Sequence, residues 1–112
     1  CHPETNTVVL HDGLLPITNH TFACDTILDQ TGQFRKITLI NKHRNPVLRM
    51  CFNAPVIAMW APCDGNCPFV CIEPLNGICD SFEKPVELKD RNLVNSITPR
   101  GEWTNTYTIT AL

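Results

Sequence analysis

Nine prolines are spread along the 112 residues of the chain, and their spacing restricts the fold more than any other feature. Proline lacks a backbone donor and clashes with the preceding helical turn, so few windows can hold a helix of about 11 residues without a break. The longest window without proline, 17–45, is rich in threonine, isoleucine and phenylalanine, which favour strands. The sequence therefore predicts an all-β, antiparallel fold with almost no helix.

Two apolar runs on either side of a polar segment predict a β-hairpin. Residues 34–40 form the first run, the polar segment 41–45 makes the connection, and residues 46–52 return as the partner strand. The following run, 56–60, is apolar without polar alternation, which is typical of a strand buried on both faces. We therefore expect three consecutive strands in the middle of the chain.

Weaker patterns predict strands towards the two ends of the chain. Residues 7–10 precede an Asp-Gly turn signal at 12–13, and threonines alternate with apolar residues in 103–112. A further turn is expected at 29–32, where the sequence is Asp-Gln-Thr-Gly. The charged stretch 85–94 fits either a strand or an irregular loop.

The stretch 67–74 is unusual because an apolar strand ends in a carboxylate. Strand alternation places Phe69, Cys71 and Glu73 on one face. An acid held among apolar neighbours should be partly desolvated, which raises the pKa of a carboxyl towards the range that acid–base chemistry uses. The alternative is a strand-end glutamate that bonds to a neighbouring backbone group or arginine.

The charges of the chain argue against two classes of partner. Nine lysines and arginines against eleven aspartates and glutamates give a formal net charge of −2, and no run of lysine and arginine exceeds two residues. A nucleic-acid binder needs a basic stripe to neutralise phosphates, and a membrane helix needs about 18–20 apolar residues in a row. We expect neither a nucleic acid nor a membrane as partner.

Seven cysteines are an odd number, so they cannot all pair within one chain. Cys63, Cys67 and Cys71 are spaced by three residues, which invites a zinc or a disulfide interpretation, but structural zinc sites favour two-residue spacings. Single cysteines in apolar strands behave as small hydrophobes, so we predict reduced thiols, no metal, no cofactor and a cytoplasmic location. The four histidines lie beside turns or near the terminus and are interpreted as exposed imidazoles.

Four segments, in order, carry motifs that can be compared with a known family. They are L-P-I-T…F-A-C-D-T-I at 15–27, the run ending in Met-Trp at 55–62, P-F-V-C-I-E-P-L-N-G-I-C-D at 68–80, and T-P-R-G-E at 98–102. Over roughly residues 15–112 these motifs resemble the carboxyl-terminal part of the aldose 1-epimerase (galactose mutarotase) family. Two departures are Leu75, where many members carry tryptophan, and Arg100, which is inserted in the last motif.

The resemblance implies a fold larger than this chain. The family forms an antiparallel β-supersandwich of roughly 250 residues, at the upper end of single all-β domains. Residues 1–112 would then be the carboxyl-terminal part of a β-sandwich, without the upstream portion that carries the family's histidines. His2 stands in a His-Pro pair but too near the segment at 15–27 to take over such a role. We therefore expect apolar sheet surface that self-associates or packs on a missing segment.

The resemblance also implies an activity, the interconversion of the α and β anomers of a hexose or hexose phosphate. Glu73 would be the catalytic base, and Asp25 would bind sugar hydroxyls. Trp60 and Phe69 would supply an apolar face for the pyranose ring. The alternatives are a turn-forming role for Asp25 and core packing for the two aromatic rings. A non-catalytic carbohydrate-binding β-sandwich derived from the same fold is the alternative function.

Overall fold

The chain folds into two three-stranded antiparallel sheets that pack against each other. The computed structural model describes residues 5–62, 69–80 and 85–112. The prediction of an all-β fold is confirmed. The described residues form six strands, and their only helical element is one short 3-10 turn, Leu88–Asp90. The strands are β1 (Ile27–Asp29), β2 (Lys36–Ile40), β3 (Pro46–Phe52), β4 (Val56–Trp60), β5 (Cys71–Leu75) and β6 (Tyr107–Ala111).

The first sheet has the strand order β1-β4-β5, so β4 lies at its centre. Val56, Ile57 and Ala58 are each no more than 2% exposed. Because successive residues of a strand point to opposite faces, β4 is buried on both faces, as predicted. Its partner β5 begins at Cys71, so the predicted strand is wrong at residues 69 and 70, while the predicted positions 67–68 lie outside the described residues.

The second sheet has the order β2-β3-β6 and contains the predicted hairpin. β2 pairs with β3 in antiparallel register, with Ile37 opposite Met50, and the hairpin prediction is confirmed. In the connecting turn, the Oδ1 atom of Asn41 accepts hydrogen bonds from the backbone N–H groups of His43 (2.9 Å) and Asn45 (3.1 Å). The polar segment thus closes the hairpin by its own side-chain chemistry.

The core lies between the two sheets and is small. Among the described residues, its main cluster joins four buried side chains and three half-buried side chains packed against them: Met50, Phe52, Ala54 and Ile57, then Phe34, Ile37 and Ile72. The radius of gyration is 16.0 Å, against about 13 Å for a compact domain of this length. A small core in an extended molecule leaves large apolar side chains in solvent, among them Trp103, Tyr107 and Ile109, all more than half exposed.

The predicted strands near the two ends are partly wrong. Residues 7–10 form no strand, because no second strand lies beside them and Val8 and Val9 are exposed. The turn that follows them is present, with Asp12 and Gly13 at φ values of 52° and 74° inside an isolated bridge. The carboxyl-terminal strand covers 107–111 alone, and 85–94 is irregular apart from its 3-10 turn.

The predicted turn at 29–32 is held by one carboxylate. The Oδ1 atom of Asp29 accepts bonds from the backbone N–H (3.0 Å) and hydroxyl (2.6 Å) of Thr31 and from the Gln33 amide (3.3 Å), and Gly32 takes a φ of 64°. Partial burial opposes ionisation of Asp29, but the bonds from Thr31 and Gln33 outweigh it and hold the pKa of this carboxyl below its ordinary value.

Replacing Asp29 by asparagine is expected to destabilise the fold at neutral pH and to matter less in acid. A carboxyl whose folded pKa is depressed stabilises the fold above its unfolded pKa of about 4, and this contribution is lost as the pH falls through the folded value. The difference in urea midpoint between wild type and Asp29→Asn should therefore narrow below pH about 4. Asp90→Asn, at an exposed site, is the control. A difference in urea midpoint between wild type and Asp29→Asn that does not change with pH would contradict the lowered pKa of Asp29.

Candidate functional site

Glu73 lies in the middle of β5, on the face of the first sheet that is turned away from the core. It is opposite Ala58 on β4, which in turn is opposite Leu28 on β1. Residues directly opposite in a ladder share a face, so these three side chains form one row across the sheet. Ile57 and Ile72 belong to the other face, where they pack in the core between the sheets.

Two aromatic rings lie at the end of the sheet next to Glu73. Trp60 is opposite Cys71, two residues from Glu73, so Trp60 and Glu73 are diagonal neighbours on one face. The ring of Phe69 packs against Trp60, with centroids 6.5 Å apart and planes tilted by 51°. Phe69 remains 51% exposed. The rings therefore contact each other and still present apolar surface to solvent beside the carboxylate.

Asp25 lies at the same end of the first sheet. It stands two residues before β1, and the antiparallel pairing of Ile27 with Met59 brings the start of β1 next to the end of β4. Its Oδ1 atom accepts bonds from the backbone N–H (2.7 Å) and the hydroxyl (3.2 Å) of Thr26. Its φ of 89° is rare for a residue other than glycine and belongs to a sharp turn. Asp25 is exposed, so its carboxylate faces solvent at this end.

The expectation that Glu73 is desolvated is wrong, because its side chain is exposed. The reason is its place in the sheet. β5 is an edge strand, so Glu73 has a neighbouring strand on one side, and the flanking Ile72 and Pro74 direct their side chains to the opposite face. Apolar neighbours in sequence did not become apolar neighbours in space at this position.

The face that carries Glu73 joins a carboxylate to an aromatic surface. Carboxylate oxygens accept hydrogen bonds from hydroxyl groups, and aromatic rings stack on the apolar faces of sugars. His11, His20 and His43 are exposed, as predicted, and none of these three belongs to a strand of the first sheet. His2 lies outside the described residues. The described part of the chain therefore brings a carboxylate and two aromatic rings to this end of the first sheet, and its strands there contain no histidine.

One contact at the opposite end of β5 was not anticipated. Asp80, which ends the motif at 68–80, accepts a bond of 2.8 Å from the guanidinium of Arg91, and both side chains are about one-third exposed or less. Gly77 lies in the same region with a φ of 116°, and a Cβ atom at this position would lie 3.5 Å from the side chain of Val94. The ion pair thereby holds the irregular stretch 85–94 against the segment that follows β5. The sequence features that could have predicted this contact are Arg91 in a charged stretch and Asp80 shortly after Gly77.

The cysteines and acids of the described part form no metal centre. Across residues 5–62, 69–80 and 85–112, no group of three or more histidine, cysteine, aspartate or glutamate side chains is placed to hold an ion. Cys24, Cys51 and Cys71 carry free thiols. Cys63 and Cys67, on which the zinc interpretation depended, lie outside the described residues. No helix formed by the described residues has the length and apolarity to cross a membrane.

Comparison with known proteins adds no relative to these observations. No protein-family model, no curated protein and no solved structure matches the chain. The resemblance to the aldose 1-epimerase family therefore depends on the sequence motifs.

Proposed function

We propose that the chain is part of an aldose 1-epimerase-like enzyme, in which Glu73 is the base that opens the sugar ring. The observation that carries the proposal is that Glu73 shares a sheet face with Trp60, against which Phe69 packs. The motif of 68–80 supplies both Phe69 and Glu73 to this face. Asp25 stands at the same end of the sheet and would bind sugar hydroxyls.

The proposed reaction needs one base and one acid. Glu73 takes the proton from the anomeric hydroxyl while an acid protonates the ring oxygen, and the bond between the anomeric carbon and the ring oxygen breaks to give the open-chain aldehyde. Rotation about the bond between the first two carbons, followed by the reverse steps, closes the other anomer. No net bond is made or lost. The acid would come from the upstream portion of the parent protein, which would also cover Glu73 and exclude water.

The substrate would be a hexose or a hexose phosphate in a reducing cytoplasm. Trp60 and Phe69 offer the apolar surface on which a pyranose ring stacks, and the carboxylates offer acceptors for its hydroxyls. The test is polarimetry or NMR of freshly dissolved α-glucose and α-galactose with the intact parent protein. Acceleration above the spontaneous rate supports the proposal, and a spontaneous rate with both sugars opposes it.

The second candidate function is carbohydrate binding without catalysis. The exposure of Glu73 favours it, because an exposed carboxylate can accept a hydrogen bond from a sugar hydroxyl without taking part in a reaction. The same polarimetric assay distinguishes the two functions when combined with a titration of Trp60 fluorescence. Sugar-dependent fluorescence without accelerated mutarotation would identify a binding protein.

The isolated chain is expected to self-associate through β6. Leu112 donates to the Val47 carbonyl (3.1 Å), and alternation assigns the next bonded pairs to Thr110 and Thr108, so the backbone groups of Ile109 face the open edge. Residues 103–112 carry no charge to oppose edge pairing. Sedimentation of wild type should depend on concentration, and Ile109→Lys should give a monomer. Val9→Lys, with the same charge change at an exposed site outside the sheets, is the control.

A monodisperse wild-type monomer would contradict the expected association. Equal association of wild type and Ile109→Lys would place the contact elsewhere on the molecule. Either result is read directly from sedimentation velocity at several protein concentrations.

A further inference from the structure

A cavity of about 590 Å³ lies along β2, away from the face that carries Glu73. All five residues of β2 line it on one side, and the segment 13–17 lines it on another. Met59 and Ile72 of the first sheet close it together with Val70, which precedes β5. The volume falls within the range of binding pockets, about 300–1,000 Å³. Most of the lining is aliphatic or aromatic, so the cavity is an apolar groove beside a strand.

The strand beside this groove has an open edge. Within residues 5–62, 69–80 and 85–112, β3 is the strand that pairs with β2, and Phe52 donates to the Arg35 carbonyl at 3.1 Å. Bonded pairs alternate in an antiparallel ladder, so the pairs of Ile37 and Leu39 also bond to β3. The backbone N–H and C=O of Lys36 and Thr38 then point away from β3, towards the groove. An extended chain laid there would find unpaired donors and acceptors.

The polar residues of the groove carry one sign of charge. Lys36, Lys42 and Arg44 line it together with Thr38 and Asn41, and no described acidic residue does. The chain as a whole has a net charge of −2, so this concentration of basic side chains is local. Carboxylates on a partner would be attracted to this rim.

We propose that this groove binds an extended acidic-apolar peptide segment of a partner protein, which adds to β2 as a further antiparallel or parallel strand. Main-chain bonds to Lys36 and Thr38 hold the segment, its alternate apolar side chains enter the cavity, and its carboxylates meet Lys42 and Arg44. The inference goes beyond the proposed sugar chemistry and does not depend on it, because β2 belongs to the second sheet.

The test uses a fluorescent, end-blocked peptide of about seven residues that alternates valine and glutamate, long enough to span the five residues of β2. Fluorescence anisotropy with the full chain should show saturable binding that weakens as salt is added. A peptide with lysine in place of glutamate should bind at least about tenfold more weakly. Equal binding of the two peptides, or binding of neither, would overturn the proposal.

Thr38→Pro separates strand addition from mere apolar attraction. Since the Thr38 N–H points away from β3, proline removes a donor from the groove and none from the β2–β3 ladder, and edge strands tolerate proline at such positions. The variant should lose at least about tenfold in affinity, whereas Thr38→Val, which keeps the N–H, should bind like wild type. An unchanged circular dichroism spectrum shows that Thr38→Pro still folds.

Two further experiments test the charge preference of the groove and ask whether it binds a small amphiphilic anion instead of a peptide. Lys42→Glu, at the exposed hairpin turn, should weaken the glutamate peptide and strengthen the lysine peptide without affecting the fold. Dodecanoate is the probe for a small amphiphilic anion. Saturable binding of dodecanoate without binding of the peptide would show that the groove takes a small amphiphilic anion and not a peptide. If Thr38→Pro removes self-association of the chain and leaves peptide binding unchanged, the occupant of the β2 edge is a second copy of the chain. Either result contradicts the proposal.

Discussion

In the proposed mutarotase, replacing Glu73 by glutamine is expected to slow catalysed mutarotation about 10²–10⁴-fold, the usual cost of losing one partner in acid–base catalysis. Glutamine keeps the size and shape of the side chain but cannot accept the anomeric proton as a carboxylate does. The side chain is exposed on an edge strand, so the free energy of unfolding should change little, within about 0.5 kcal/mol. The measurement is the decay of optical rotation of fresh α-glucose or α-galactose.

The matched control for this experiment is Glu102→Gln. Glu102 is also an exposed glutamate, but it precedes β6 and belongs to no strand of the first sheet. It should leave the rate unchanged. Equal, accelerated rates in wild type and Glu73→Gln would eliminate Glu73 as the base, whereas a wild-type parent that binds sugar without accelerating mutarotation favours the carbohydrate-binding function.

Replacing Ile57 by alanine is expected to cost about 2–5 kcal/mol of unfolding free energy, the range for truncating a large buried aliphatic residue. Ile57 is 2% exposed and packs with Met50, Phe52 and Ala54 at the junction of the two sheets. The core has few members, so the loss of one removes a large share of the contacts that join the sheets. We expect a corresponding fall in the urea midpoint, followed by circular dichroism.

Ile17→Ala provides the control for the core truncation. Ile17 is 51% exposed and belongs to no strand, so the same chemical change should cost no more than about 0.5 kcal/mol. Comparable losses in the two variants would show that the sheets are not joined through Ile57. Unfolding of β6 alone, with the first sheet still folded, would show that the two sheets unfold separately.

Local sequence patterns were sufficient to predict the strands in the middle of the chain. The hairpin of β2 and β3 could be predicted because both strands and the turn between them are contiguous in sequence, and Asn41 closes that turn without help from elsewhere. Strand β4 could be predicted because five apolar residues in a row leave no polar face for solvent. The 7–10 run has the same kind of composition, but no strand lies beside it, and a strand without a partner leaves its backbone groups unpaired.

The candidate site shows where local pattern ends. The motif at 68–80 singled out Glu73 and Phe69 as candidates, and alternation assigned Glu73 its face because strand geometry follows from the sequence spacing, whereas Phe69 lies before the first residue of β5. Whether Glu73 is dry was not a local property. It depends on how many strands flank β5 and on what lies over its face, and an edge position leaves this side chain in solvent.

By itself, the sequence determined the all-β class, the central hairpin, the buried β4 and the carboxylate as the chemical candidate, since each depends on spacing or on residues close in the chain. Only the tertiary structure decided that Trp60 lies diagonal to Glu73, that Asp25 stands at the same end of the sheet, and that β2 and β6 are the outer strands of the second sheet in the described part of the chain. Antiparallel pairing joins segments separated by many residues, and their register is set by which apolar faces can be buried together, a condition that exists once both sheets have formed.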